Sequence, residues 1–563
     1  MTPSGNEDHA RPRPPQSERA ERLAGLGLFL AVLLFYVLKA PSFAVPGRWA
    51  GMLASFLGLE PSRPLIRPVW SGLMLGAAHL PGPQVALAVN LLTALLGAGA
   101  CWLLFEIVRR IPLERSLKPP DRRRKDRWSQ GMAGVFAALI AAVSLPIMTV
   151  ATRGDFVMLD IFLLLLALQA GLAYGARPRL ALFYASFLAY GLGLADYPVM
   201  ALLLPGFLGW WSWLLWRSAR LKWITLLGGL LALGVGLLAV GAFVSLVGSS
   251  PGPGTSASAS FLQNLLAFGR LYAIELIKGM PKVGWLLIIG TNLLPLVFVV
   301  FRPLAEPGDF FTALGVYPFR IVLFWLGLIA LFELPGSPAR LLGTQILLVA
   351  PYVVVAVWFG HYLGYYFRRL SRFDALWPRV TFATLWIALL LAAGYRNHRA
   401  THLDAVAPVV AFADDLVAGL GARTYLITDG ALDPSIRLAA HEAGRPLNII
   451  NFRHDGRAYG TYYASLLEEP ALKTAAYLGV RPLLNEWMNH PASLTGQVAL
   501  LAMPQVVPSG GMVVQPASLF YQVDLAAADP ESLLARNQQA WSSWAPLDLA
   551  ALKKSDAGYA QLE

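Results

Sequence analysis

The sequence predicts a polytopic α-helical membrane protein, with about eleven transmembrane helices and a C-terminal α/β domain outside the membrane. Three observations predict it. Of 563 residues, 56% are hydrophobic and only 14% charged, which excludes a soluble globular protein before about residue 400. Apolar runs recur at a length that suits a ~30 Å hydrocarbon core, which needs about 20 helical residues. Past about residue 397 these runs give way to short strand and helix patterns.

Residues 1–22 are polar and Pro-rich and read as a disordered cytoplasmic tail. The transmembrane domain is expected over 23–396. Its spans fall near 23–38, 84–108, 130–150, 156–174, 180–196, 198–216, 223–248, 283–301, 319–334, 344–366 and 379–394. Basic loops follow every second span. They are Arg109 to Lys125, then Arg177 and Arg179, then Arg217, Arg220 and Lys222, then Arg368, Arg369 and Arg372. Positive loops stay inside, so the N-terminus is cytoplasmic and everything after about residue 397 is outside. The formal net charge of +12 lies mostly in these loops and gives no sign of nucleic-acid binding. The single cysteine, Cys101, sits inside an apolar run, so there is no disulfide framework.

Three segments then lie on the outer side. Residues 40–83 contain two short helices, Met52 to Leu59 and Pro68 to Leu80. A hairpin runs from Arg153 to Asp160. Residues 249–282 hold a flexible Ser/Gly/Pro loop and an amphipathic helix from Phe261 to Met280. In the extracytoplasmic α/β domain, 397–530, a helix covers Ala411 to Leu420 and a strand Thr424 to Thr428. A helix from Pro434 to Ala443 and a strand from Leu447 to Asn451 complete a βαβ-like unit. Later strands fall at Val498 to Ala502 and Leu519 to Val523, and 531–563 is a helical tail.

Asp155 and Asp160 sit where one apolar run ends and the next begins. A carboxylate inside a span costs roughly 2.5–3.5 kcal/mol, so it faces protein or a wet cavity and marks function. Asp155 also reads as a helix N-cap. The two are five residues apart, about 140° around a helix, so they line one pocket only if the helix starts after Asp155. Arg48, Arg63 and Arg67 run against the topology bias. A bound phosphate would offset them, as would anionic headgroups. Glu60 is a second carboxylate within the same loop. Asp429-Gly430 follows a strand, where a ligand or simply a turn is expected. No zinc spacing, Walker loop or dinucleotide fingerprint is present.

The order of these parts resembles the C superfamily of membrane glycosyltransferases (GT-C), and within it the protein O-mannosyltransferase-related branch called domain of unknown function 2723. The likeness rests on one span, a long outer loop with a short helix, Val89-Asn90-Leu91-Leu92, then an acidic hairpin. It returns in 412–452 and in Ala517 to Val523. The resemblance implies a bacterial inner-membrane enzyme that takes a sugar from a polyprenyl-phosphate donor on the outer face. The acceptor would be a protein or a glycan, and the anomeric centre is inverted. It implies catalytic roles for Asp155, Asp160 and Glu60, with Asp160 orienting the site or binding a divalent cation. Substrate would be bound by Arg48, Arg63, Arg67, Arg153, Asp196 and Tyr197. Three motifs depart from the family pattern. Pro46 stands where the first-loop acid falls, Arg63 replaces a histidine, and Asp196-Tyr197 replaces an Asn-His pair. These departures support a second expectation, a catalytically inactive GT-C-fold subunit or scaffold that binds lipid or a partner protein. A transporter would instead carry ionisable groups at the midplane on broken helices.

Overall fold

The computed structural model describes residues 16–59, 67–77, 79–80, 82–111, 120–197, 199–249, 261–278, 321–322, 324–337, 349–370, 376–401, 403–453, 457–501 and 513–543. The helices are α1 (Gln16–Val37), α2 (Arg48–Phe56), α3 (Pro68–Ala77), α4 (Gly82–Val108), α5 (Pro120–Val143), α6 (Leu145–Thr152) and α7 (Val157–Ala176). After them come α8 (Leu180–Asp196), α9 (Val199–Arg217), α10 (Trp223–Ser249), α11 (Phe261–Lys278), α12 (Val349–Leu370) and α13 (Trp377–Arg399). Among the described residues, four helices are long and apolar enough to cross a membrane: Gln84–Val108, Val157–Ala176, Trp223–Ala242 and Trp377–Arg399. The α5–α6 pair makes a fifth if it counts as one broken span. The expected span at 283–301 lies outside the described residues.

Three boundaries differ from the sequence reading. Helix α1 begins at Gln16, so the polar tail is helical for its last turns; residues 1–15 lie outside the described residues. The first outer helix covers Arg48–Phe56 rather than 52–59. The expected span 130–150 is bent by 67° at Ser144. Pro146 causes the bend, since it has no N–H to give the carbonyl of Ala142 four residues back. Tyr36 donates its hydroxyl to that carbonyl at 3.0 Å, and Asn397 donates to the next one, Val143 O, at 2.9 Å. A break in apolar surroundings is stable only when neighbours satisfy the freed backbone in this way.

Helix α4 is the hub, packed by α1, α5, α6 and α7. Small residues let other helices close in. Gly360 and Gly364 of α12, one turn apart, lie against Ala137 and Ala133 of α5. A Cβ on Gly360 would come within 2.5 Å of the Ala137 backbone. By contrast, α10 exposes Trp223, Ile224, Leu231 and Leu238, the surface of a lipid-facing helix.

The C-terminal part contains α14 (Leu403–Gly419), β1 (Tyr425–Thr428), α15 (Asp433–Glu442), β2 (Asn448–Asn451), α16 (Arg457–Leu466), α17 (Pro470–Leu478), α18 (Val480–Met488) and α19 (Pro491–Gln497). Strands β3 (Val498–Leu500), β4 (Val513–Ala517) and β5 (Phe520–Asp524) and helix α20 (Pro530–Ser543) complete it. The sheet order is β2-β1-β3-β5-β4. Strand β1 pairs in parallel with β2 and β3, while β5 runs antiparallel to β3 and β4. Leu426, Ile449 and Ala499 face α14 and α15, whereas Ile427, Ile450 and Leu500 face α16–α19. Both faces are covered, which is why these strands read as unbroken apolar runs.

The close α5–α12 approach carries a prediction. Gly364→Val should lower the melting temperature of the detergent-solubilised protein, as overpacking a tight contact costs roughly 1–3 kcal/mol. Gly234→Ala, where a Cβ meets nothing within 4 Å, should leave the melting curve unchanged.

Candidate functional site

The bend at Ser144 aims the 153–156 hairpin at the loop end of α4. Gly154 turns the chain with φ of 68°, a left-handed value that favours glycine. A Cβ there would meet Val89 Cγ1 at 2.7 Å, so the backbone lies flat on α4. Its N–H donates to Thr93 Oγ1 at 3.2 Å. One turn away, Asn90 donates to Pro41 O at 2.8 Å and Phe43 O at 3.2 Å. Helix α4 therefore pins the hairpin and the first outer loop side by side.

Asp155 joins them chemically. Its Oδ1 accepts the Val157 N–H at 3.0 Å, capping α7, and Oδ2 accepts the Trp49 indole N–H at 3.1 Å. Arg48 approaches Oδ1 at 3.5 Å from a partly exposed position. Helix α7 does begin after Asp155, so that carboxylate points back toward α2. Asp160 has a different place: it is fully buried within the first turn of α7 and does not line the cleft described below. A carboxylate there is favoured by the helix dipole.

The guanidiniums gather around two rings. Arg67 lies 4.3 Å and Arg48 5.2 Å from the centre of the Phe156 ring. Arg153 lies 4.7 Å from the Trp49 ring and donates to the Thr401 carbonyl. Burial pulls the Arg153 pKa down to about 10, and the neighbouring Asp155 charge opposes that fall. The side chain is thus still cationic at neutral pH. Among the described residues its buried Nε has no hydrogen-bond partner.

Arg67 is only 2% exposed and donates to the backbone carbonyl of Asp196. Asp196 in turn accepts Val69 N–H at 2.7 Å and Trp70 N–H at 2.9 Å, which makes it the N-terminal cap of α3 from across the fold. Tyr197 is buried at the end of α8, its N–H on Gly193 O at 2.7 Å. Glu60 and Arg63 lie outside the described residues.

Between α2, α3 and α4 runs a cleft lined by Trp49, Met52, Phe56, Trp70 and Met74, with Asn90 and Arg153 as its polar end. Among the described residues no group of three His, Cys, Asp or Glu could hold a metal ion. Trp49, Phe156 and Thr401 are site residues that sequence reasoning missed. An Arg-Trp pair opening an outer-loop helix was the only available signal.

Fold and site together define a helical membrane protein. Two of its loops bring an acid and three guanidiniums to one end of the bundle, beside an apolar cleft. Residues 68–236 match the family described as the protein O-mannosyl-transferase TMEM260 N-terminal domain. No curated protein matches the chain. Among solved structures, ArnT from Cupriavidus metallidurans in the apo state is similar at 14% identity and a TM-score of 0.35. That alignment covers 90% of this chain and 100% of that one. A superposition this loose assigns no residue roles.

The cap on α3 can be tested directly. Asp196→Ala should destabilise the protein by about 1 kcal/mol, the usual worth of an N-cap, read as a lower melting temperature. Asp196→Asn keeps an acceptor oxygen and should recover most of that loss.

Proposed function

We propose that this chain is a glycosyltransferase that uses a polyprenyl-phosphate-linked sugar on the outer face of a bacterial inner membrane. The N-terminus is then cytoplasmic and the α/β domain extracytoplasmic. On this reading the chain has about eleven spans in 23–396, the α/β domain in 397–530 and a helical tail beyond. The supporting observation is the convergence of Arg48, Arg67 and Arg153 around Phe156 and Asp155, next to an apolar cleft. Arginine binds phosphate oxygens bidentately, and an apolar groove suits a prenyl chain. Membrane lipids and an acceptor protein or glycan are its other partners.

In the reaction, an acceptor hydroxyl oxygen attacks the anomeric carbon while the bond from that carbon to the phosphate oxygen breaks. The acceptor proton passes to a carboxylate, and the departing lipid phosphate keeps the electron pair. Guanidiniums would stabilise that charge. Asp155 is the base on this reading. A carboxylate offers about four lone-pair sites; Val157, Trp49 and Arg48 occupy three of them. One site is left for the acceptor proton. Asp160, Glu60, Arg63, Asp196 and Tyr197 keep the roles of expectation only, with Asp196 accounted for as a helix cap.

A second reading has its own observation. Asp155 is buried and hydrogen-bonded as a structural cap, and Pro46 occupies the place of the first-loop acid. An inactive subunit that binds lipid or a partner protein would look the same.

Transfer from a polyprenyl-phosphate sugar by purified protein should fall about 100-fold or more in Asp155→Asn, the range of general-base catalysis. Unchanged melting of that variant would show that the fold survived. Full transfer by Asp155→Asn would remove Asp155 as base. Arg153→Met should lose retained polyprenyl phosphate in a mass measurement of co-purified lipid. Wild-type protein that binds the lipid without transferring sugar would favour the inactive subunit.

A further inference from the structure

Helix α2 supplies Arg48 and Trp49 to the site and also walls the cleft with Met52 and Phe56. What fixes α2 itself comes from the α/β domain. The far end of α2 closes in a Schellman cap: Leu59 N–H donates to Ala54 O at 2.9 Å, Gly58 N–H donates to Ser55 O at 3.1 Å, and Gly58 takes φ of 71°. That cap ties the Leu59 N–H to the helix, and the carbonyl of the same residue is the next polar group along the chain. Arg437 of α15, 8% exposed, donates Nη1 to this carbonyl at 2.9 Å. Its other end is held within its own domain. Nη2 donates to Ile449 O of β2 at 3.2 Å, and Tyr462 Oη lies 3.4 Å from Nη1.

Two apolar contacts accompany the bond. Leu438, the next residue, belongs to the core cluster of the helical bundle rather than to that of the α/β domain. A Cβ on Gly51 would lie 3.8 Å from Pro434 Cγ, so α15 sits on the middle of α2. Helix α2 is nine residues long, about 13 Å at 1.5 Å per residue. A short rigid helix gripped at one end is fixed at the other, where Arg48 and Trp49 meet Asp155.

We infer that Arg437 is a positioning residue: from the α/β domain it seats α2 and thereby holds Arg48 and Trp49 on Asp155. The inference deepens the function proposed above and rests on it only for the lipid readout. A charged group buried on carbonyl acceptors is costly to strand, so removing either end of this bond weakens the seat of α2.

Three readouts on the full-length protein in detergent test this. A Gly51→Cys/Pro434→Cys pair should cross-link under mild oxidation, because a Cβ on Gly51 would lie 3.8 Å from the Pro434 ring. Adding Arg437→Met should cut the cross-linking rate roughly tenfold, while Arg437→Lys, which keeps a donor, should preserve it. Maleimide labelling of a separate Arg48→Cys reporter should speed up with Arg437→Met by a similar factor. Retention of polyprenyl phosphate should fall in Arg437→Met and return when the cysteine pair is oxidised. Reductant should abolish the return, a reversal that general misfolding would not show. Cross-linking and labelling rates unmoved by Arg437→Met would overturn the inference. So would an oxidised pair that forms but leaves Arg48→Cys labelling fast. Wild-type protein that retains no polyprenyl phosphate would overturn the proposed function, while the cross-linking and labelling arms would still decide the role of Arg437.

Discussion

One buried carboxylate organises the loop end of this bundle. Asp155, in the hairpin, accepts from a backbone amide at the start of α7 and from the indole and guanidinium of adjacent residues at the start of α2. A carboxylate removed from water without such partners would cost several kcal/mol, so the arrangement holds only when all three segments are in place. The start of α7, the start of α2 and the hairpin between α6 and α7 are therefore fixed together. Arg67 and Arg153 join through the rings of Phe156 and Trp49, with backbone carbonyls as hydrogen-bond acceptors. The two guanidiniums thus sit in an aromatic and carbonyl setting.

That junction exists because the preceding helix is broken. A straight helix from Pro120 to Thr152 would carry Gly154 and Asp155 along its own axis, away from Thr93 and Val89. Pro146 forces the turn, and Tyr36 and Asn397 accommodate it by donating to the carbonyls it leaves behind. Both donors come from helices remote in sequence, α1 and α13. The bend is thus a property of the assembled bundle, though the proline that starts it is local.

This distinction explains what could be read in advance. The long apolar runs of α4, α7, α10 and α13 were legible because length and hydropathy suffice for a membrane helix. Strands β1, β2, β3 and β5 were legible from short apolar runs bounded by turn residues. The bend at Ser144 was hidden because Pro146 sits in an otherwise continuous apolar run. Helix α2 was placed late because Arg48 and Trp49 look like loop residues until Asp155 is seen to receive them. Strand β4 was missed because it contains Pro516, tolerated here on an edge strand. Helices α16–α19 carry apolar faces too short to separate from loops by period alone. Among the site residues, Asp155 and Arg67 stood out as charged groups at the ends of apolar runs. The use of Asp196 as a cap for α3 was not, since residues more than a hundred positions apart make that contact.

The walls of the cleft are held in different ways. Asp196 and Arg67 tie down the start of α3, and α4 is the hub of the bundle. Helix α2 is short and amphipathic, and contributes Trp49, Met52, Leu53 and Phe56 to the lining. It is attached to Asp155 at one end, to Arg437 at the other, to α15 along its length, and to the bundle core through Ala50, Leu53 and Ala54. A short helix held at both ends keeps Arg48 and Trp49 on Asp155, so the setting of the acid depends on the α/β domain as well as on the bundle.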